Sequence, residues 1–169
     1  MVTSFQKITI TAFWGLSLCL PLTHAKANSA TVLECSSGAL KVGQKSVGTA
    51  RYFAENCQRH WKEQSIRMDF SYTQNIPEWA FRRAATHFLK KNTKQANTLK
   101  QLEPITQLYQ PVKPGDLYSL SYSYPTQTLI LSLNQKVLGK VQGPQVNDYF
   151  NIWLGPAPFS ATLKQQLLD

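Results

Sequence analysis

The chain has 169 residues, 18 of them lysine or arginine against 9 acidic, and a formal net charge of +9. That length suits one domain with a single core and leaves no room for a second. Such an excess of positive charge raises nucleic acid as a partner, but the first residues argue against it. Lys7 is followed by an uncharged stretch, Ile8 to Leu22, and then by small residues around Ala25-Lys26-Ala27, the order of a secretory signal peptide. The apolar stretch is broken by Pro21 and falls short of the ~20 residues a spanning helix needs. We therefore expect residues 1–27 to be a leader and residues 28–169 a single exported, periplasmic domain. Losing Lys7 and Lys26 with no acidic residue lowers the net charge by only two, so the domain stays basic where it meets anionic lipid or acidic ligands. Cys19 follows the bulky Leu18, a poor lipoprotein site, and should leave with the leader.

Cys35 and Cys57 then remain, an even number in an oxidising compartment, for which a disulfide is the economical reading. It closes a loop of roughly 22 residues, worth ~3 kcal/mol by loop-closure entropy. The rival reading joins both cysteines to His60 as metal ligands, but the rest of a zinc ligand set is missing, and no metal is expected.

Between Thr31 and Phe53 there are strand-like pieces whose limits are blurred by Gly38, Gly43 and Gly48. Ile66, Met68, Phe70 and Tyr72 then alternate with Ser65, Arg67, Asp69 and Ser71, the pattern of a half-buried strand. Asn75-Ile76-Pro77-Glu78 offers a polar cap, a first-turn proline and an acid near the positive helix end, and Phe81, Ala84, Ala85 and Phe88 repeat at helical spacing, so a helix is predicted over 77–91. Its other face carries Arg82, Arg83, Lys90 and Lys91, with Lys94 if the helix continues. This stripe reads first as solvated surface and second as an anion-binding face.

Leu99, Leu102, Ile105 and Tyr109 keep a helical period, with Pro104 starting a new turn or kinking the segment. A turn at Val112 to Asp116 leads into a strand over Leu117 to Ser123, where Tyr118, Leu120 and Tyr122 alternate with serines. Thr128 to Leu133 and Lys136 to Val141 flank Asn134-Gln135 as a tight hairpin. After Gly143-Pro144, the residues Val146, Tyr149, Phe150 and Trp153 fall at i, i+3, i+4 and i+7, one buried stripe of a helix. Gly155 suits a left-handed helix end, and Ser160 caps a last short helix with Leu163 and Leu167 one turn apart.

The run "VKPGD" before a strand, the hairpin "LNQKVLG" and the closing "DYFNIWLGPAPFSATLKQQLLD", with "IRMDFSYTQNIPEWAF" at the strand-to-helix junction, resemble the bacterial chalcone isomerase-like family from about Ser65 to the C-terminus. The resemblance implies an α+β open-faced β-sandwich, a large antiparallel sheet with helices on one face, which agrees with the element order. The N-terminal third matches only loosely. There plant chalcone isomerases hold a phenolate oxygen, and fatty-acid-binding relatives a carboxylate, with an arginine on the first strands. Arg51 is the one residue of this sequence in that region, and its plainer reading is a surface arginine at a strand end.

Tyr118 and Tyr122, with Tyr124 beside them, are candidate cleft-lining hydrogen-bond donors, although strand tyrosines more often belong to the core. His60 and His87 have no recognisable nucleophile motif, and no G-x-G-x-x-G loop calls for a nucleotide, so no cofactor is expected. The leading expectation is a non-catalytic exported protein holding an apolar or amphipathic small molecule such as a fatty acid in a helix–sheet cleft, its acid near Arg51. The alternatives are an isomerase acting on a conjugated ketone, with Arg51 on the oxyanion, and a domain docking partners or anionic membrane through Arg82, Arg83, Lys90 and Lys91.

Overall fold

A computed structural model describes residues 31–169; the expected leader and Cys19 lie outside the described residues. Six strands, β1 Leu33–Val42, β2 Lys45–Ala54, β3 Ile66–Tyr72, β4 Leu117–Ser123, β5 Thr128–Leu133 and β6 Lys136–Gln142, pair antiparallel in sequence order as one sheet. Two helices, α1 Glu78–Asn92 and α2 Ala96–Thr106, are inserted between β3 and β4; a 3-10 turn over Val146–Phe150 runs into α3 Asn151–Leu154, and α4 Ala161–Leu168 closes the chain. This is the α+β arrangement expected from the sequence.

Strand alternation sorts the side chains into two faces. Ala50, Met68, Phe70, Leu120 and Leu131 point to the helices and are buried in one hydrophobic cluster. The residues between them, Arg51, Asp69, Ser119 and Ser132, are paired across the sheet on its other, open face. The two faces are therefore written in the same strands.

The β1–β2 hairpin is longer than its glycines suggest, ten residues in each strand, with register shifts at Glu34/Ser36 and Leu40/Lys41. Gly43 supplies the positive φ of 60° at the first position of a two-residue turn, a backbone that glycine adopts without strain. Gly48 lies inside β2, where a Cβ would collide with the Ser71 carbonyl of β3. Inside β1, Gly38 makes room for Leu163 and Gln166 of α4. The β5–β6 turn takes positive φ at both Asn134 (48°) and Gln135 (68°), as expected of a hairpin with Asn at its tip.

Several expectations need correction. Asn75 does not cap α1, whose N-cap is Pro77 with no side-chain hydrogen bond, and the helix ends before Lys94. Pro104 sits in the last turn of α2 and Tyr109 lies beyond it. The closing aromatic stretch is a 3-10 turn at first, with three residues per turn, so Val146, Tyr149 and Ile152 line up at full burial. Trp153 is rotated off that line to partial burial against Phe70, ring centroids 4.7 Å apart. Gly155 is extended (φ −77°, ψ −176°) and not left-handed; glycine is needed because a Cβ would press on the Asn151 carbonyl at 2.5 Å.

Candidate functional site

Between α1 and the helix-facing side of the sheet lies a cavity of about 180 Å³. The sheet contributes Leu40, Val47, Phe70 and Leu120, and α1 contributes Ala80, Phe81 and Ala84. Its origin is local: α1 presents Ala80, Ala84 and Ala85 to the sheet, and three methyl groups do not fill the layer that larger side chains would occupy. Trp153 and Phe159 from the C-terminal segment close one side. None of the lining residues is charged.

The lining side chains that carry a polar atom are Tyr72, Tyr109 and Tyr118, with their hydroxyls, and Trp153, with its indole N–H. Tyr118 is already engaged, accepting from the Gln110 N–H (2.7 Å) and donating to the Gln110 carbonyl (2.9 Å). The Tyr149 hydroxyl stands 3.5 Å from that of Tyr109. Burial holds Tyr72, Tyr109 and Tyr149 well above the ordinary phenol value, and raises Tyr118 less. These groups therefore stay neutral at physiological pH, able to donate or accept a hydrogen bond but unable to supply charge. Tyr122, also buried on the helix-facing side, lies two residues along β4 from Leu120 and, unlike the expectation for it, is not part of the lining.

Arg51 is not in this cavity. Its β2 neighbours Ala50 and Tyr52 face the helices, so Arg51 faces the open side, opposite Asp69 of β3. There its guanidinium lies 3.8 Å from Asp69 and 3.7 Å from Glu34. Asp69 also accepts from the Ser119 hydroxyl (2.7 Å) and pairs with Arg67 (3.2 Å). Both guanidiniums lie over the Phe53 ring, at 5.6 Å and 4.0 Å from its centroid, which explains why an open-face phenylalanine is buried. Placing an acid or oxyanion beside Arg51 inside the helix–sheet cleft is thus corrected by one residue of strand parity.

Cys35 and Cys57 form a disulfide, Cα atoms 5.4 Å apart, so neither is a free metal ligand. His60 is used locally, its Nδ1 accepting from the Lys62 N–H. Within the basic stripe of α1, Arg82 pairs with Glu78 (3.5 Å) and donates to the Tyr109 carbonyl (3.4 Å), and Lys90 pairs with Glu103 (2.8 Å). Arg83 and Lys91 are exposed. The stripe is therefore divided between structural pairs and free surface. The residues missed in the sequence are the cavity-forming alanines and Trp153; a run of alanines on a helix face otherwise built of phenylalanines was the available signal.

No helix of the described residues is long and apolar enough to cross a membrane. A comparison with curated proteins found no match. A family model described as chalcone isomerase-like matches residues 44–169, from the tip of the first hairpin through the cavity-bearing layers to the last residue, and reaches further toward the N-terminus than the motifs that first suggested it. On that match, and with the fold in agreement, the chain belongs to the chalcone isomerase-like family.

Proposed function

We propose that this protein is an exported, non-catalytic binding protein that takes a compact apolar or amphipathic molecule into the cavity between α1 and the sheet. The observation that carries the reading is the cavity itself, about 180 Å³ with an uncharged, apolar wall. An apolar cavity of ~150 Å³ accepts a benzene-sized guest, whereas sites for larger ligands run from ~300 Å³ upward. The occupant is thus a single ring or a short chain, with one polar atom near the tyrosine hydroxyls. A long acyl chain would fit only if α1 moved outward. Arg51 leaves the proposal, and with it the oxyanion-stabilising cation that an isomerase reading required. Export is supported by the leader-like N-terminus and by the Cys35–Cys57 disulfide.

The test is a thermal-shift series with indole, benzyl alcohol, hexanoate and palmitate. Ring-sized ligands and hexanoate should raise the melting temperature in proportion to occupancy, and Ala84→Leu, which fills the cavity from α1, should abolish the effect while the variant stays folded. No shift with any compact ligand, or an unchanged shift in Ala84→Leu, contradicts the reading.

A further inference from the structure

The cavity has a distinctive lip. Val42, at the end of β1, lines it yet is 58% exposed. Across from it stand Ala80 and Ala84. Trp79 is one residue, or about 100° of helix, from Ala80 and is 62% exposed. Arg83 bears the same relation to Ala84 and is exposed. On the hairpin, Lys45 is the cross-strand partner of Val42, so both side chains leave the same side of the sheet. Among the described residues no carboxylate pairs with Lys45 or Arg83, and Glu78, the acid at this end of α1, is held by Arg82 at 3.5 Å.

An exposed indole, an exposed valine and unpaired cations around the opening of an apolar hole match the layering of a lipid surface. Indole sits at head-group level, apolar side chains enter the acyl boundary, and each lysine or arginine is drawn to anionic head groups. We propose that the lip docks on an anionic phospholipid bilayer, so that the cavity opens onto the membrane and its guest enters without passing through water. This rests on the cavity being a ligand site. It moves the membrane contact from the whole basic stripe to the opening, using Val42, Lys45, Trp79 and Arg83, and leaves Arg82 and Lys90 to their structural pairs. With so few inserted apolar groups the attachment is reversible and salt-sensitive.

The test uses protein purified from its host and vesicles of phosphatidylglycerol and phosphatidylcholine in equal parts, against phosphatidylcholine alone. Binding is expected to the first, to fall in high salt, and to weaken about fivefold with loss of each lip cation, in Lys45→Gln and in Arg83→Gln. Lys136→Gln, the same charge loss on the β5–β6 hairpin, should leave it unchanged. Brominated lipid should quench part of the tryptophan emission, and that part should vanish in Trp79→Ser. Equal weakening by Lys136→Gln, quenching that persists in Trp79→Ser, or no vesicle binding at all overturns the proposal. Indole binding measured without vesicles separates the two readings: retained by a chain that ignores vesicles, it leaves the cavity standing and removes the docking; absent from a chain that docks, it removes the cavity site.

Discussion

The two faces of the sheet are made by alternate residues of the same strands, yet they solve different problems. On the helix side, Met68, Phe70, Leu120 and Leu131 are buried in the shared core, and the alanines of α1 leave one volume unfilled. On the open side there is no covering layer of helices, and burial is made locally: Arg51 and Arg67 lie over Phe53 and enclose Asp69. Charge is thus kept on the face where its partners and water are at hand, and the lining of the cavity with room for a guest has none. A cation in the cavity would have to be desolvated without a carboxylate to meet it.

The contrast is sharpest between neighbours. Leu120→Ala removes a fully buried side chain that also lines the cavity, and should cost ~3 kcal/mol in chemical denaturation. Ser121→Ala, one residue along on the open face, should stay within ~0.5 kcal/mol. Comparable losses at both positions would break the division into faces.

Trp153→Ala comes next. A fully buried tryptophan costs ~3–5 kcal/mol, but Trp153 is only partly buried at the cavity wall, so about 2 kcal/mol is expected, together with altered affinity for indole. Denaturation followed by circular dichroism, which does not depend on the lost indole, reads the first effect. A loss of the full-core size with unchanged indole affinity would return Trp153 to the core and take it out of the site.

Alkaline pH separates the faces differently, because all four tyrosines of the strands, Tyr52, Tyr72, Tyr118 and Tyr122, are buried on the helix side. Burial pushes Tyr52 up to about 12 and holds Tyr72, Tyr109 and Tyr149 well above their usual value. The folded state keeps these protons while the unfolded chain releases them above pH ~10, so the contribution is complete below that pH and is lost as pH rises. Each tyrosine held neutral should lower stability by ~1.4 kcal/mol per pH unit from about pH 10, with the Tyr52 share levelling off near 12. Urea titrations across this range should show a shallower fall in Tyr149→Phe than in the parent, and equal slopes would contradict the assignment.

The smallest effect belongs to the open face. Asp69→Asn removes the charge shared by Arg51 and Arg67, but both guanidiniums are more than a third exposed, so the loss should be about 1 kcal/mol and should shrink in salt. A loss as large as that of Leu120→Ala would mean that the open face is buried by something beyond its own side chains.

Strands β3 to β6 were legible in the sequence because Ile66-x-Met68-x-Phe70-x-Tyr72 and Tyr118-x-Leu120-x-Tyr122 alternate cleanly, and the hairpin because Asn134 favours its turn. The β1–β2 hairpin was not, since Gly38 and Gly48 look like turn residues when in fact they admit α4 and the Ser71 carbonyl. The face of Arg51 was hidden for a related reason: Tyr52, Phe53 and Ala54 are all buried, so the sequence around it shows no alternation. The stripe through Trp153 was drawn with a period of 3.6 where the chain begins with three residues per turn. The cavity's one signal, alanine at 80, 84 and 85 on a face otherwise built of phenylalanines, is weak, because alanine is equally the residue of an ordinary helix.

The most direct measurement is methyl-resolved NMR during an indole titration. Saturable shifts are expected at Val47, Ala84, Leu120 and Leu131, which line the cavity, with Ala39 and Ile130 on the open face unmoved. Shifts centred on Ala39 and Ile130, or none at the four cavity methyls under saturating indole, would show that the helix-side cavity is not the binding site.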